Sequence, residues 1–208
     1  MTGYIRDPAA IYRESFKRVR AATDLDRVPE AMTDVVLRLV HACGMPDIVD
    51  DLAWTDGAAD AGRAALAAGR PVLVDAEMVG AGVIRARLPA NNPVICTLGD
   101  PEVPARAKAA GNTRSASAVE LWGEQLDGAV VAIGNAPTAL FRLLELIGDG
   151  APRPALVLGF AVGFVGAAES KETLIANDLG LDYIALRGRR GGSAMAAAAV
   201  NALAGGLS

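Results

Sequence analysis

The sequence predicts an α/β fold: a mostly parallel sheet of about five strands, with helices on both faces and further helices at the N-terminus. Five short apolar runs, rich in β-branched residues, alternate with segments of helical pattern. Most of these runs are continuous rather than alternating, which is typical of strands covered on both faces. Strands that alternate with helices favour a parallel sheet flanked by helices. The predicted strands are 71–75, 93–97, 129–133, 154–158 and 182–186.

Helical patterns account for most of the remaining chain. Two precede the strands, at 8–22 and 29–43, and Pro29 suits a first helical turn because its missing N–H is not needed there. The other predicted helices are 101–110, 114–126, 137–148, 168–179 and a last one that follows Gly191, Gly192 and Ser193. The chain has 208 residues, with neither an internal repeat nor a disordered linker. We therefore expect residues 1–208 to form a single domain.

The composition restricts the possible classes of function. Hydrophobic residues make up 52% of the chain and the net charge is −4, which argues against a general nucleic-acid-binding protein. Cys43 and Cys96 lack C-x-x-C spacing, and two cysteines with one histidine fall short of the about four ligands of a structural zinc site, so neither a zinc site nor a disulfide framework is expected. The N-terminus lacks the apolar core of a signal peptide, and no apolar stretch approaches the roughly 20 residues of a membrane span. We therefore expect a cytoplasmic protein that binds no nucleic acid, membrane or metal ion.

Small and polar residues occupy the loops that follow the predicted strands. Because ligands bind where parallel strands end and loops lead into helices, these loops are candidates for a binding site. Their glycines allow close approach of a ligand to the main chain, and helix starts offer N–H groups to anions. Arg114, Lys171 and Arg187 add positive charge. The loops are 111–115, 134–138, 163–171 and 187–193.

This pattern favours a ligand that carries several carboxylates. None of the loops has the G-x-x-x-x-G-K-[ST] phosphate-binding sequence or a complete G-x-G-x-x-G fingerprint, so a nucleotide cofactor is not supported. A nucleotide-dependent transferase therefore remains a weaker alternative. Gly, Asn, Thr and Ser are also ordinary turn and helix-capping residues, so each loop taken alone has a structural explanation.

His41 is the only histidine in the chain. Imidazole has an unperturbed pKa of about 6.5, so it is the side chain best suited to proton transfer near neutral pH. Helical spacing places His41, Arg38 and Asp34 on a polar face opposite the apolar stripe of their helix. A proton-transfer group beside a fixed cation indicates a site for an anionic substrate. The alternative is a solvated polar face; a functional site needs this face to be covered by another segment, a partner subunit or the substrate.

Seven stretches that span most of the chain in order include Arg-Leu-Val-His-Ala-Cys-Gly at 38–44 and Gly-Asn-Thr-Arg-Ser at 111–115. Together they resemble the precorrin-8X methylmutase (precorrin isomerase) family of cobalamin biosynthesis. One departure is visible: Ala161 stands where the family usually has a proline, and it removes no charged or nucleophilic group. The full set of stretches is 12–16, 38–44, 75–78, 111–115, 134–141, 162–171 and 187–198.

The resemblance implies an intramolecular methyl migration from carbon 11 to carbon 12 of a precorrin macrocycle, which gives hydrogenobyrinic acid. It implies that His41 is the catalytic proton donor to a ring nitrogen, and that no methyl donor, metal or other cofactor is needed. The substrate would be a precorrin-type tetrapyrrole, whose acetate and propionate arms suit arginine and helix-start N–H groups. The substrate-binding residues implied are Ser15, Arg38, Asn112, Thr113, Arg114, Ser115 and Lys171.

The resemblance also implies a homodimer whose active sites lie near the subunit interface. A partner subunit, together with the macrocycle, would then enclose Asp34, Arg38 and His41. Two alternatives stay open at this point: the cobalt-containing substrate of the anaerobic branch, and a carrier that binds the tetrapyrrole without converting it.

Overall fold

The chain encloses a mostly parallel sheet between two layers of helices in the computed structural model, which describes residues 4–205. The predicted α/β fold with a mostly parallel sheet is therefore confirmed. Within the described range the sheet has six strands in the order β1-β6-β5-β4-β2-β3. The strands are β1 (Leu52–Trp54), β2 (Val72–Val74), β3 (Val94–Cys96), β4 (Val130–Ile133), β5 (Leu156–Gly159) and β6 (Tyr183–Leu186).

Strand β1 is the one that the sequence did not predict. It is three residues long and pairs antiparallel with β6, so that Leu52 lies opposite Leu186. The other strand pairs are parallel. Because β1 runs against β6, the segment that leads into β1 lies beside the carboxyl end of β6. This arrangement brings the end of the second helix to the edge of the sheet where loops were predicted to bind a ligand.

The helices match the predicted segments more closely at some ends than at others. The predicted 114–126 is a short α-helix followed by a 3₁₀ segment (Glu120–Leu126), and the predicted 168–179 ends at Ile175. Two helices, α3 and α4, were not predicted. The bounds are α1 (Pro8–Ala22), α2 (Glu30–Cys43), α3 (Ala58–Ala67), α4 (Glu77–Gly82), α5 (Val103–Ala110), α6 (Arg114–Val119), α7 (Pro137–Gly148), α8 (Ala167–Ile175) and α9 (Ser193–Gly205).

Local signals explain where several of these helices begin and end. The Asp7 side chain accepts a hydrogen bond from the N–H of Ala9 and so caps α1. Gly44 adopts the left-handed conformation with φ 70° and ends α2, and its N–H donates to the carbonyl of Val40. Gly123, with φ 47°, interrupts the helical conformation inside the 3₁₀ segment that follows α6, so the predicted 114–126 is not one continuous helix.

Two apolar cores lie on opposite faces of the sheet. Alternate residues of β2 show the division: Val72 and Val74 pack on the face covered by α2, α3 and α9, whereas Leu73 packs on the face covered by α7 and α8. Strands buried on both faces explain the continuous apolar runs in the sequence. Helix α1 lies outside these layers, has no fully buried residue, and rests on α2. Its position matters because it covers the polar face of α2.

Candidate active site

Helices α1 and α2 meet around the single histidine. We call this group the histidine cluster; its members are Tyr12, Ser15, Phe16, Arg38 and His41. The α1 members are spaced i, i+3 and i+4, so one face of α1 presents them together. Ser15 Oγ lies 3.0 Å from His41 Nδ1. The Phe16 ring stacks on the imidazole, with centroids 4.6 Å apart and an angle of 26° between the planes. The cluster therefore holds the imidazole through one nitrogen and one ring face.

Arg38 is almost completely buried within the histidine cluster, with 7% of the residue exposed. Its Nη2 donates to the Tyr12 hydroxyl at 2.7 Å, and its Cζ lies 5.2 Å from the centroid of the Phe16 ring. Helix α1 of the same chain thus covers the polar face of α2 at Arg38. The sequence had allowed three possibilities for this cover: another segment of the chain, a partner subunit or the substrate. The result is a fixed positive charge beside His41.

The environment of His41 favours the neutral imidazole. Burial is the larger cause that lowers the pKa of His41 from its usual 6.5, and the positive charge of Arg38 is the second. A neutral imidazole carries one N–H, and it is on Nε2 whenever the Ser15 hydroxyl donates to Nδ1. In that tautomer Nε2 can donate a hydrogen bond to a bound molecule. A negatively charged ligand near the ring raises the pKa again and favours the imidazolium.

Two shallow grooves meet at the histidine cluster. One, of about 340 Å³, is lined by Ser15, Arg18 and His41 together with apolar residues from the ends of both helices. The other, of about 390 Å³, runs along the outer side of α1 and again includes Ser15 and Arg18. A larger cavity of about 730 Å³ lies between α7 and α8, on the opposite face of the sheet from α2. We place the candidate site at the histidine cluster because that larger cavity contains none of the predicted functional residues.

The carboxyl edge of the sheet is the second place where predicted residues gather. Asp75 follows β2 and is 3% exposed, and its carboxylate accepts three hydrogen bonds from successive main-chain N–H groups. The donors are Gly134 at 2.8 Å, Asn135 at 2.9 Å and Ala136 at 2.7 Å. Burial raises the pKa of Asp75, and these amide bonds oppose that increase. The prediction that loop 134–138 offers free N–H groups to a ligand is therefore wrong: a carboxylate of the chain already binds them.

The loop 112–115 lies at the same edge. Thr113 Oγ1 is 2.8 Å from Thr138 Oγ1 at the start of α7, and Arg114 Nη2 donates to the carbonyl of Leu98, just after β3, at 3.3 Å. These contacts run to α7 and β3 rather than to α1 or α2. The structure therefore brings Ser15, Arg38 and His41 together, and places Asn112, Thr113, Arg114 and Ser115 in a separate group.

Lys171 and Arg190 link helix α8 to the segment that follows α2. Arg190 forms ion pairs with Asp47 and Asp51, which follow α2, and its carbonyl accepts a hydrogen bond from Lys171 Nζ at 2.6 Å. Lys171 is fully buried, and that burial lowers its pKa to about 8 against the opposing charge of Glu172. Contact between Lys171 and a substrate would need the loop that holds Arg190 to open. Its role in substrate binding stays a prediction.

Within residues 4–205, no group of three or more His, Cys, Asp and Glu side chains is arranged to hold a metal ion. Cys43 and Cys96 are free thiols, and burial is the main cause that raises the pKa of Cys96 to about 11. None of the helices in that range is long and apolar enough to cross a membrane.

Tyr12, Phe16 and Asp75 contribute to these sites although the sequence did not identify them as site residues. The first two share a helical face with Ser15, and that i, i+3, i+4 spacing is the signal that could have found them. Asp75 directly follows a buried strand, which is a recognisable position, but its partners lie about 60 residues further along the chain.

The fold and the site define an α/β protein with a mostly parallel sheet, whose two N-terminal helices hold one histidine beside one buried arginine. The family model for precorrin-8X methylmutase matches residues 10–205. Precorrin-8X methylmutase of Pseudomonas aeruginosa is 62% identical over 204 residues, which are 98% of each chain. Cobalt-precorrin-8 methylmutase of Priestia megaterium is 34% identical over 197 residues, covering 94% of this chain and 87% of that one.

A solved structure agrees with these relatives. The crystal structure of precorrin-8X methylmutase from Thermus thermophilus superposes with a TM-score of 0.86 at 41% identity, and covers 94% of each chain. The chain belongs to the precorrin-8X methylmutase family. It is an enzyme, a methylmutase of cobalamin biosynthesis.

Proposed function

We propose that this enzyme converts precorrin-8X into hydrogenobyrinic acid by moving a methyl group from carbon 11 to carbon 12 of the macrocycle. The bond from the methyl group to carbon 11 breaks and a bond to carbon 12 forms, so the product is an isomer and no atom leaves it. The metal-free substrate is favoured by the comparisons. Two relatives named precorrin-8X methylmutase are 62% and 58% identical, whereas the one from Priestia megaterium named cobalt-precorrin-8 methylmutase is 34% identical.

His41 is the proposed proton donor in this reaction. The observation that carries the proposal is the contact of Ser15 Oγ with His41 Nδ1, which leaves Nε2 as the nitrogen that can serve the substrate. Donation from Nε2 to the ring nitrogen next to the migrating group draws electron density toward that nitrogen and so favours the migration. General acid catalysis of this kind contributes typically about 10²–10⁴-fold to the rate.

Because the pKa of His41 is lowered in the free enzyme, the bound substrate has to raise it before the imidazole can donate a proton. In the free enzyme the imidazole is mostly neutral at neutral pH, because burial and Arg38 both disfavour the imidazolium. Carboxylate arms of the bound macrocycle supply the opposite charge and raise the pKa of His41. Proton donation from His41 is then favoured when substrate is bound.

Substrate binding in this proposal uses both groups of predicted residues. Ser15 and Arg38 act at the histidine cluster, where the buried guanidinium gives a fixed charge close to the reacting ring. Asn112, Thr113, Arg114 and Ser115 act at the carboxyl edge, where the first three are exposed. Lys171 completes the proposed set.

We also propose that the chain is a single domain that works in the cytoplasm as a homodimer, with each active site near the interface. Exposed apolar side chains in the groove along α1 support the dimer: Ile5 and Ile11, which line it together with Ser15, are 48% and 47% exposed. Light scattering after gel filtration, combined with activity across enzyme concentrations, tests the assembly. A monomer with full activity would contradict it.

The reaction itself is tested by an absorbance assay with purified precorrin-8X and, in parallel, with its cobalt form, because the methyl shift changes the conjugation. The proposal predicts turnover of the metal-free substrate. Turnover of the cobalt form alone would show that the substrate contains cobalt. Tight binding of product without turnover of fresh precorrin-8X would support the carrier alternative.

A further inference from the structure

Arg18 occupies the place where the two grooves beside the histidine cluster meet. It lines the groove that contains His41 and also the groove along the outer side of α1, and Ser15 is the other residue that they share. Arg18 and Ser15 are three positions apart, so they lie on adjacent parts of the α1 surface. A ligand that extends from His41 along α1 passes this guanidinium.

The present partner of Arg18 holds it weakly. Its Nε donates to Glu14 Oε1 at 2.8 Å, and the two side chains are 76% and 36% exposed. Hydrogen bonding to Arg18 is the main cause that lowers the pKa of Glu14, so the carboxylate is ionised and the pair is an ion pair at neutral pH. Exposed i, i+4 pairs of this kind contribute little to stability, because water competes for both partners. The guanidinium can therefore exchange one carboxylate for another at small cost.

The charge of α1 differs from that of the chain as a whole. The chain carries a net charge of −4, whereas α1 contains four basic residues and one acidic residue. Arg38 is buried within the histidine cluster, but Arg18 is open to the solvent. The helix thus offers an accessible cation next to a groove whose other walls are largely apolar.

We propose that Arg18 is a further substrate-binding residue, which leaves Glu14 and binds a peripheral carboxylate of the macrocycle while His41 faces the ring. This inference rests on the proposed function, because it takes the polycarboxylated substrate from there. The guanidinium fork suits a carboxylate, since two parallel N–H groups can donate to its two oxygens. Glu14 pairs with Arg18 in the free enzyme and competes with the substrate for it.

The test measures binding separately from turnover. Precorrin-8X is titrated into the enzyme and followed by visible absorbance, and steady-state rates are measured on the same preparations. Arg18→Ala should raise the Kd and the KM about fivefold to tenfold, with kcat within about twofold of the wild type. Arg18→Lys should recover part of this loss, because it keeps the charge but not the fork. Glu14→Gln should lower the Kd, because it removes the competing carboxylate.

Arg106 provides the matched control. It forms the same kind of exposed i, i+4 pair, with Glu102 at 2.8 Å, on helix α5. Arg106→Ala should leave Kd, KM and kcat unchanged. Equal Kd values for wild type and Arg18→Ala, or equal losses in Arg18→Ala and Arg106→Ala, would overturn the inference. A wild-type enzyme that binds without turnover would count against the proposed function, while the comparison of Kd values would still decide the role of Arg18.

Discussion

Replacing Asp75 by alanine removes the carboxylate that organises the start of α7. Its oxygens accept hydrogen bonds from the N–H groups of Gly134, Asn135 and Ala136, and the side chain is nearly inaccessible to solvent. A hydrogen bond to a charged group contributes about 1.5–3 kcal/mol, but water that enters the space left by alanine recovers part of this. We therefore expect Asp75→Ala to lower the free energy of unfolding by about 3–5 kcal/mol.

That loss is a large share of the stability of a domain, which is commonly about 5–15 kcal/mol. Asp75→Asn keeps one acceptor oxygen but turns an amino group toward a main-chain N–H, so it should lose less, about 2 kcal/mol. Asp178 is a suitable control because it is an exposed acid at the rim of the α7–α8 cavity. Asp178→Ala should change the free energy of unfolding by no more than about 0.5 kcal/mol.

Urea denaturation at pH 7, followed by far-ultraviolet circular dichroism, measures these differences. The order of stability should be wild type and Asp178→Ala together, then Asp75→Asn, then Asp75→Ala. A loss below about 1 kcal/mol in Asp75→Ala, or one equal to that of the control, would refute the reasoning that this carboxylate satisfies the three amides.

Three further predictions concern the site and its supporting loop. Ser15→Ala should lower kcat/KM about 2- to 10-fold with little change in Tm, because the imidazole loses one neutral hydrogen bond; unchanged kinetics would show that Ser15 does not orient the ring. Proton NMR of the single histidine should give a pKa for His41 below 6.5, and Arg38→Gln should raise that pKa. Because the pKa of His41 is lower in the folded protein than in the unfolded chain, its contribution to stability is complete above pH 6.5. That contribution is lost as the pH falls through the folded pKa. Gly191→Ala should destabilise the fold strongly, because its Cβ would lie 2.2 Å from a main-chain carbonyl oxygen; Gly148→Ala, which has open space, is the control for thermal unfolding.

Elements with clear local signals were predicted to the residue. Helices α1 and α7 begin where a proline follows a residue in extended conformation, and both match the predicted 8–22 and 137–148. Strand β1 and helices α3 and α4 were missed because they are short or consist largely of small residues, which carry little periodic signal. Their conformation depends on packing against α9 and β6, which local sequence does not encode.

In the candidate site, too, local spacing predicted some contacts, whereas the long-range contacts were missed. Helical spacing was sufficient to place Arg38 and His41 on one polar face of α2. It could not show that α1 folds over that face, because the contacts of Tyr12 and Ser15 with α2 join residues 26 positions apart. The pairing of Asp75 with the start of α7 is a longer-range contact still. The residues of loop 134–138 predicted a site for an anion of the ligand, but the carboxylate of Asp75 occupies it.

The most direct test of the account is the turnover of precorrin-8X by His41→Ala, compared with its binding of the same substrate. If His41 donates a proton or hydrogen bond to the ring, kcat should fall by about 10²–10⁴-fold. Because Arg38 and the loop 112–115 remain, the Kd should stay within about threefold of the wild type. A variant that binds and turns over the substrate as the wild type does would contradict the catalytic role of His41.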